Sequence, residues 1–226
     1  MYKRQPLWSG YKLGELNMTR ICVATQKRIL SLASDSLLIN TIDNSKTFTG
    51  LKAVYRQGII IGIAGALEFN TNLGLIKFKD VINEALNETQ NIKEIYNIFL
   101  TRLRFLYEYS NFLTQILFLW TDGQNFYSFP ILLSKHGIYK PKDSLFENHS
   151  KLIFNNHWFE VGEGVSMYHE SELNENPITF VQNNVRTAID NPELKTVGGE
   201  IYSITMDLEG HIKTYVNGEE KPFKIM

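Results

Sequence analysis

The sequence is poor in cysteine and proline, has no long apolar run, and carries no excess of charge of either sign. Its one cysteine, Cys22, excludes an intrachain disulfide and fits a reducing compartment. Cys22 lies in a strand-like run and reads as a small buried apolar residue. Phe112 to Trp120 is the longest apolar stretch, and Thr114 and Gln115 interrupt it. It falls far short of the roughly 20 residues that a membrane helix requires. Met1 to Leu16 holds Lys3 and Arg4 but no apolar core segment, so no secretory signal is read there. The 23 basic and 24 acidic residues give a net charge of −1, with no basic cluster. Nothing in that balance draws nucleic acid or an anionic membrane. The expectation is a cytoplasmic protein with neither as a partner. There is also no glycine-rich phosphate loop and no Ser/His/Asp signature. His136, His149, His157 and His169 form no pair with metal-ligand spacing on an expected helix. No cofactor and no metal are expected.

What is present is the composition of a globular chain, 43% hydrophobic and 21% charged over 226 residues, enough for one sizeable domain. Thr19 to Thr25 and Ile29 to Ala33 flank the polar triplet Gln26-Lys27-Arg28 and predict a β-hairpin. Thr47 to Tyr55 and Gly58 to Ala64 predict a second pair. The continuous β-branched run from Gly58 to Gly65 predicts a strand buried on both faces. Helical periodicity follows over Ile76 to Leu86 and over Ile92 to Tyr107. Phe112 to Trp120 and Phe126 to Leu133 form a hairpin about Asp122-Gly123. Residues 134–156 are polar and irregular and read as an insertion. Trp158 to Val161 is a short strand, Pro177 to Ile189 a third helix, and Ile201 to Met206 with His211 to Val216 a final hairpin. Strands, two helices, strands, one helix and strands make an α+β order with segregated helices.

Residues 1–17 show no period and do not open a domain. Leu13-Gly14-Glu15 back-translates to a purine-rich sequence just upstream of the Met18 codon. Residues 1–18 are therefore expected to be a leader, a propeptide or a non-native extension, and 19–226 a single domain.

The order and the residues together resemble the proteasome-like branch of the N-terminal nucleophile (Ntn) hydrolases, over Thr19 to about Gly210. Thr19-Arg-Ile-Cys-Val-Ala resembles the family's opening strand, which starts with the nucleophile. Ala33-Ser34-Asp35-Ser36 resembles its A-x-D-S element, and Asp35 stands at the family's spacing, sixteen positions after Thr19. Leu51-Lys52-Ala53-Val54 is similar to the lysine segment, with one inserted residue before it. Ile63-Ala64-Gly65-Ala66 resembles the A-G-G turn, with Ala66 in place of its second glycine. Val161-Gly162-Glu163-Gly164 resembles G-S-G, with Glu163 in place of serine. Val197-Gly198-Gly199 resembles the late glycine pair. The family's nearby aspartate has no counterpart at its spacing, Asp190 and Glu193 being offset. The first helix pair is short for a eukaryotic or archaeal subunit, so the chain looks closer to the bacterial homologues, of the HslV or Anbu type.

The resemblance implies a four-layer αββα sandwich and a threonine peptidase. Thr19 would be the nucleophile, its own α-amine the base, Lys52 the nearby cation, Asp35 the lysine's partner, and the Gly65 amide the oxyanion donor. It implies peptide or unfolded-protein substrates, a homo-oligomeric ring and a possible ring ATPase. Two other functions share these residues: a small-substrate amide hydrolase or acyl transferase, and a non-catalytic scaffold subunit. In every catalytic version the chain must begin at Thr19.

Overall fold

The computed structural model describes residues 19–39, 46–48, 50–65, 67–71, 74–103, 114–134, 137–139, 157–162, 173 and 175–222. The expected extension over 1–18, most of the expected insertion, Ala66, Glu163 and Gly164 lie outside the described residues. Four elements open the chain: β1 (Arg20–Gln26), β2 (Ile29–Asp35), β3 (Leu37–Ile39) and β4 (Lys46–Phe48). β5 (Ala53–Arg56), β6 (Ile59–Gly65), β7 (Glu68–Thr71) and β8 (Gly74–Lys77) come next, then α1 (Phe78–Glu88) and α2 (Ile92–Leu103). The second half holds β9 (Thr114–Thr121), β10 (Phe126–Ser134), β11 (Gly137–Tyr139), β12 (His157–Gly162), α3 (Pro177–Asp190), β13 (Ile201–Asp207), β14 (Ile212–Val216) and β15 (Glu219–Glu220).

The strands form two main antiparallel sheets. One has the order β12-β1-β2-β13-β14-β15 and the other β11-β10-β9-β6-β5. With the helices they make an α+β architecture. Strand alternation sets the core, because successive side chains point to opposite faces. Ile21 and Val23 of β1 and Leu30 and Leu32 of β2 meet Ile60, Ala64, Leu117 and Leu119 of the other sheet. The alternate residues Cys22, Ala24 and Ala33 pack on Val181 and Val185 of α3. On the far face of the second sheet, Ile59, Ile61, Ile63 and Phe118 pack on Phe78, Ile82 and Phe99 of α1 and α2. Every residue of β6 is buried, as its unbroken apolar run predicts.

Local chemistry fixes the ends of these elements. Lys27 and Arg28 both take positive φ, 49° and 68°, so the β1–β2 turn is the tight two-residue kind that matches strand twist. Asn176 caps α3, its side chain accepting from the Ile178 amide at 3.0 Å, with Pro177 at the first helical position. Asn91 caps α2 in the same way, accepting from the Lys93 amide at 2.9 Å.

Two expectations are corrected. Thr47 to Tyr55 is not one strand: β4 pairs with β3, and β5 pairs with β6. The chain leaves the sheet at Lys52, whose carbonyl accepts the Ile63 amide at 2.9 Å while its own amide donates to Ser34 Oγ at 3.2 Å. The Lys52 backbone thus ties the two sheets together. The first helix starts at Phe78, not Ile76. Gly74 to Lys77 are held as strand β8 against β7, and the Phe78 amide donates to the Leu67 carbonyl at 2.9 Å. The expected end of the second helix, Tyr107, lies outside the described residues.

Candidate active site

The hairpin turns at Lys27-Arg28, Gln57-Gly58 and Asp207 to Gly210 lie at one end of the paired sheets. Gly58 and Gly210 touch there, through a 3.0 Å backbone hydrogen bond. The opposite end gathers the start of β1, the end of β2, the start of β5 and the end of β6. Those four ends carry Thr19, Asp35, Lys52 and Gly65.

Three of these residues are in direct contact. The Lys52 ammonium donates to Thr19 Oγ1 at 2.7 Å, to Asp35 Oδ1 and Oδ2 at 3.2 and 3.1 Å, and to the Leu37 carbonyl at 2.5 Å. All are buried: Thr19 is 5% exposed, Lys52 1% and Asp35 0%. A charge so buried demands full pairing. Asp35 supplies it and is itself pinned. Its carboxylate accepts the backbone amides of Arg20 at 3.1 Å, Leu37 at 3.2 Å and Gly198 at 3.2 Å. Burial pushes the Lys52 ammonium below the ordinary lysine range, and the Asp35 charge and hydrogen bond oppose that shift. Leu51, the ungapped position, instead packs in the cluster between the sheets.

Gly65 ends β6 opposite Thr114, with φ of +120°, a conformation that favours glycine. Gly198 and Gly199 follow a related logic. The amide of Gly198 serves Asp35, and its carbonyl accepts the Ser36 and Leu37 amides at 3.1 and 3.0 Å. Gly199 has φ of +81°, and a Cβ there would lie 2.6 Å from Phe48 Cδ1. Asp190 and Glu193 are exposed, and among the described residues neither bonds to the cluster.

Sequence reasoning missed three contacts. One is the Leu37 carbonyl on Lys52, and one is the Gly198 amide on Asp35. The third is the largely buried ion pair of Arg20 with Glu160 at 2.6 Å, which ties β1 to β12 beside Thr19. Glu160 is the one acid in β12 and is buried, and that lone acid in a short strand was its only signal.

Gly162 pairs with Arg20 and has φ of +125°. A Cβ there would overlap the Thr19 carbonyl oxygen and lie 2.8 Å from its carbon. Gly162→Ala therefore shifts the Thr19 backbone. It should cost on the order of 3 kcal/mol from backbone strain plus overpacking. Gly123→Ala is the control, with φ of +88° and nothing within 4 Å of its Cβ. Urea unfolding should show a clearly larger loss for Gly162→Ala. Equal losses would mean that the Thr19 backbone gives way freely.

Metal-type side chains group elsewhere. Among the described residues Asp207, Glu209 and His211 bring ligand atoms within 4.8 Å of one another at the turn end. Asp207 is already bonded to the His211 amide at 2.8 Å and to its ring at 3.0 Å, and Glu209 faces Arg28 at 3.5 Å. No helix among the described residues is long and apolar enough to cross a membrane.

This is a proteasome-like α+β fold with a Thr-Lys-Asp cluster at one end of its two sheets. No family model and no curated protein matches the sequence. Solved structures do. Anbu, an ancestral beta-subunit, from Yersinia bercovieri matches with a TM-score of 0.57 at 15% identity, over 90% of this chain and 89% of that one. Anbu from Hyphomicrobium sp. strain MC1 matches at 0.54 and 13%, and its Gly-1 mutant at 0.55 and 13%, each over 88% of both chains. At such identities the likeness is one of fold.

Proposed function

We propose that the protein is a threonine-type peptidase subunit of a self-compartmentalising, ring-forming assembly, with the αββα sandwich of the Ntn hydrolases. The observation that carries this reading is the 2.7 Å hydrogen bond from a buried lysine to Thr19 Oγ1, backed by Asp35. A threonine hydroxyl is a weak nucleophile near neutral pH and needs a base. If the chain begins at Thr19, its α-amine is that base, with an ordinary pKa near about 8. A cationic Lys52 lowers that value and so keeps the amine neutral.

The α-amine takes the Oγ proton, directly or through a water, as Oγ attacks the peptide carbonyl. Negative charge on the carbonyl oxygen is met by the Gly65 amide, a type of contact worth roughly 3–4 kcal/mol. The amine returns its proton to the departing nitrogen, leaving an acyl ester on Thr19. Water, deprotonated by the same amine, then attacks the ester, and the amine passes that proton to the departing Thr19 Oγ as the acid is released. Asp35 keeps Lys52 oriented and charged throughout. In the chain as written the Thr19 nitrogen is an amide. Residues 1–18 are therefore proposed to be absent from the active form.

The test is an acid-quenched mixture of the Thr19-initiated protein with a peptide ester. Intact mass should show one acyl group, mapping to Thr19. An acyl group on another residue, or none while the ester is turned over, would contradict the mechanism.

A further inference from the structure

The start of β1 carries an ion pair that has no part in the chemistry above. Arg20 Nη2 donates to Glu160 Oε2 at 2.6 Å, and the two side chains are 13% and 7% exposed. Strand alternation puts Arg20 on the outer face of its sheet, with Cys22 and Ala24, which pack on Val181 and Val185 of α3. Thr19 points the other way, to Lys52. Cys22 is the Cα partner of Glu160, and Gly162 that of Arg20. The ion pair therefore runs diagonally between β1 and β12, behind the residue that carries the nucleophile.

A buried ion pair is a poor device for stability. Desolvation of both charges offsets their attraction, and an apolar pair of similar size holds as well or better. What the pair adds is direction, because a charge-assisted hydrogen bond is short and has a narrow geometry. Direction matters at a chain end, which frays unless it is tied down. In a chain that begins at Thr19, the terminal residue is joined to the fold through one peptide bond, to Arg20. The Arg20 amide donates to Asp35 Oδ1 at 3.1 Å, and the same oxygen accepts from the Lys52 ammonium at 3.2 Å. A shift of Arg20 therefore moves Thr19 relative to both Asp35 and Lys52. The bond to Glu160 opposes that shift from the outer face.

We infer that Arg20 and Glu160 are positioning residues: their buried bond clamps the free start of β1 and sets where Thr19 presents its hydroxyl and α-amine. The inference rests on the peptidase reading for a chain that begins at Thr19. Reacting groups must be held within about half an ångström of their productive geometry. The pair lies on the face away from the reacting groups. Loss of the clamp is therefore felt in the chemical step and not in substrate binding.

The test compares three proteins that begin at Thr19: the parent, Glu160→Gln, and Arg20→Met/Glu160→Leu. The double variant removes both charges, so its stability in urea should match or exceed that of the parent. Its kcat should nevertheless fall about 10²-fold, the scale of a small misplacement of a reacting group, with KM unchanged. Glu160→Gln keeps an acceptor for Arg20 and should lose less kcat than the double variant. A second readout needs no catalysis: hydrogen exchange of single amides by NMR. Protection of the Arg20 amide should fall about tenfold in the double variant, the scale of one charged hydrogen bond, while that of Ile204 in mid-sheet holds. A stable double variant that keeps its kcat, or one that changes KM alone, overturns the inference. So does an Arg20 amide whose protection is unchanged. Absence of cleavage by the parent sinks the peptidase reading instead, and the exchange of the Arg20 amide then decides the clamp on its own.

Discussion

Replacing Lys52 with methionine should lower peptide hydrolysis by the Thr19-initiated protein about 10²–10⁴-fold, the range for loss of a positioned acid–base group. Two effects combine. The hydroxyl loses a 2.7 Å donor. The α-amine loses the cation that keeps it neutral. Stability falls too, because Asp35 remains as a buried charge without its partner. Breaking such a pair from one side costs about 3–5 kcal/mol. The three amides on Asp35 keep the loss toward the lower figure. A loss of activity from unfolding is told apart by the double variant Lys52→Met/Asp35→Asn. It should recover much of the stability in urea and none of the activity. Recovery of activity with stability would assign the pair to structure alone.

The same lysine fixes one limb of the pH profile. In the proposed mechanism, activity requires its charged form. Burial lowers its pKa from the usual value, so the charge is lost at a lower pH than for a free lysine. The alkaline limb of kcat/KM should therefore begin below the ordinary lysine range. A limb at or above that range would mean that the pair with Asp35 outweighs burial.

Much of the fold is readable from residues that have one physical option. The run Ile59 to Gly65 has no polar face, so it had to be a strand covered on both sides. Asn176-Pro177 had to open a helix, because the side chain caps and the ring fits the first turn. Reading failed where pairing, not pattern, decides. Gly74 to Lys77 look like the run-in to a helix, yet bond to β7. Thr47 to Tyr55 look like one strand, yet are broken by the backbone bonds of Lys52.

The candidate site divides in the same way. Thr19, Asp35, Lys52 and Gly65 are nameable only through the family resemblance, above all the sixteen-residue spacing of Thr19 and Asp35, and the structure brings the first three into contact. The Leu37 carbonyl and the Gly198 amide are not, since nearly every residue carries those groups.

The largest expected effect belongs to Thr19. Its hydroxyl is the only nucleophile in the mechanism, and its nitrogen is the only base. Loss of either leaves binding and oxyanion contacts without a reacting group, so hydrolysis should fall to the background rate. The most direct test compares three proteins in one peptide assay, each confirmed by intact mass: one beginning at Thr19, the same with Thr19→Ala, and one that keeps Met18. Only the first should cleave. Hydrolysis at the same rate by Thr19→Ala, or by the protein that keeps Met18, would contradict a nucleophile whose base is its own free amine.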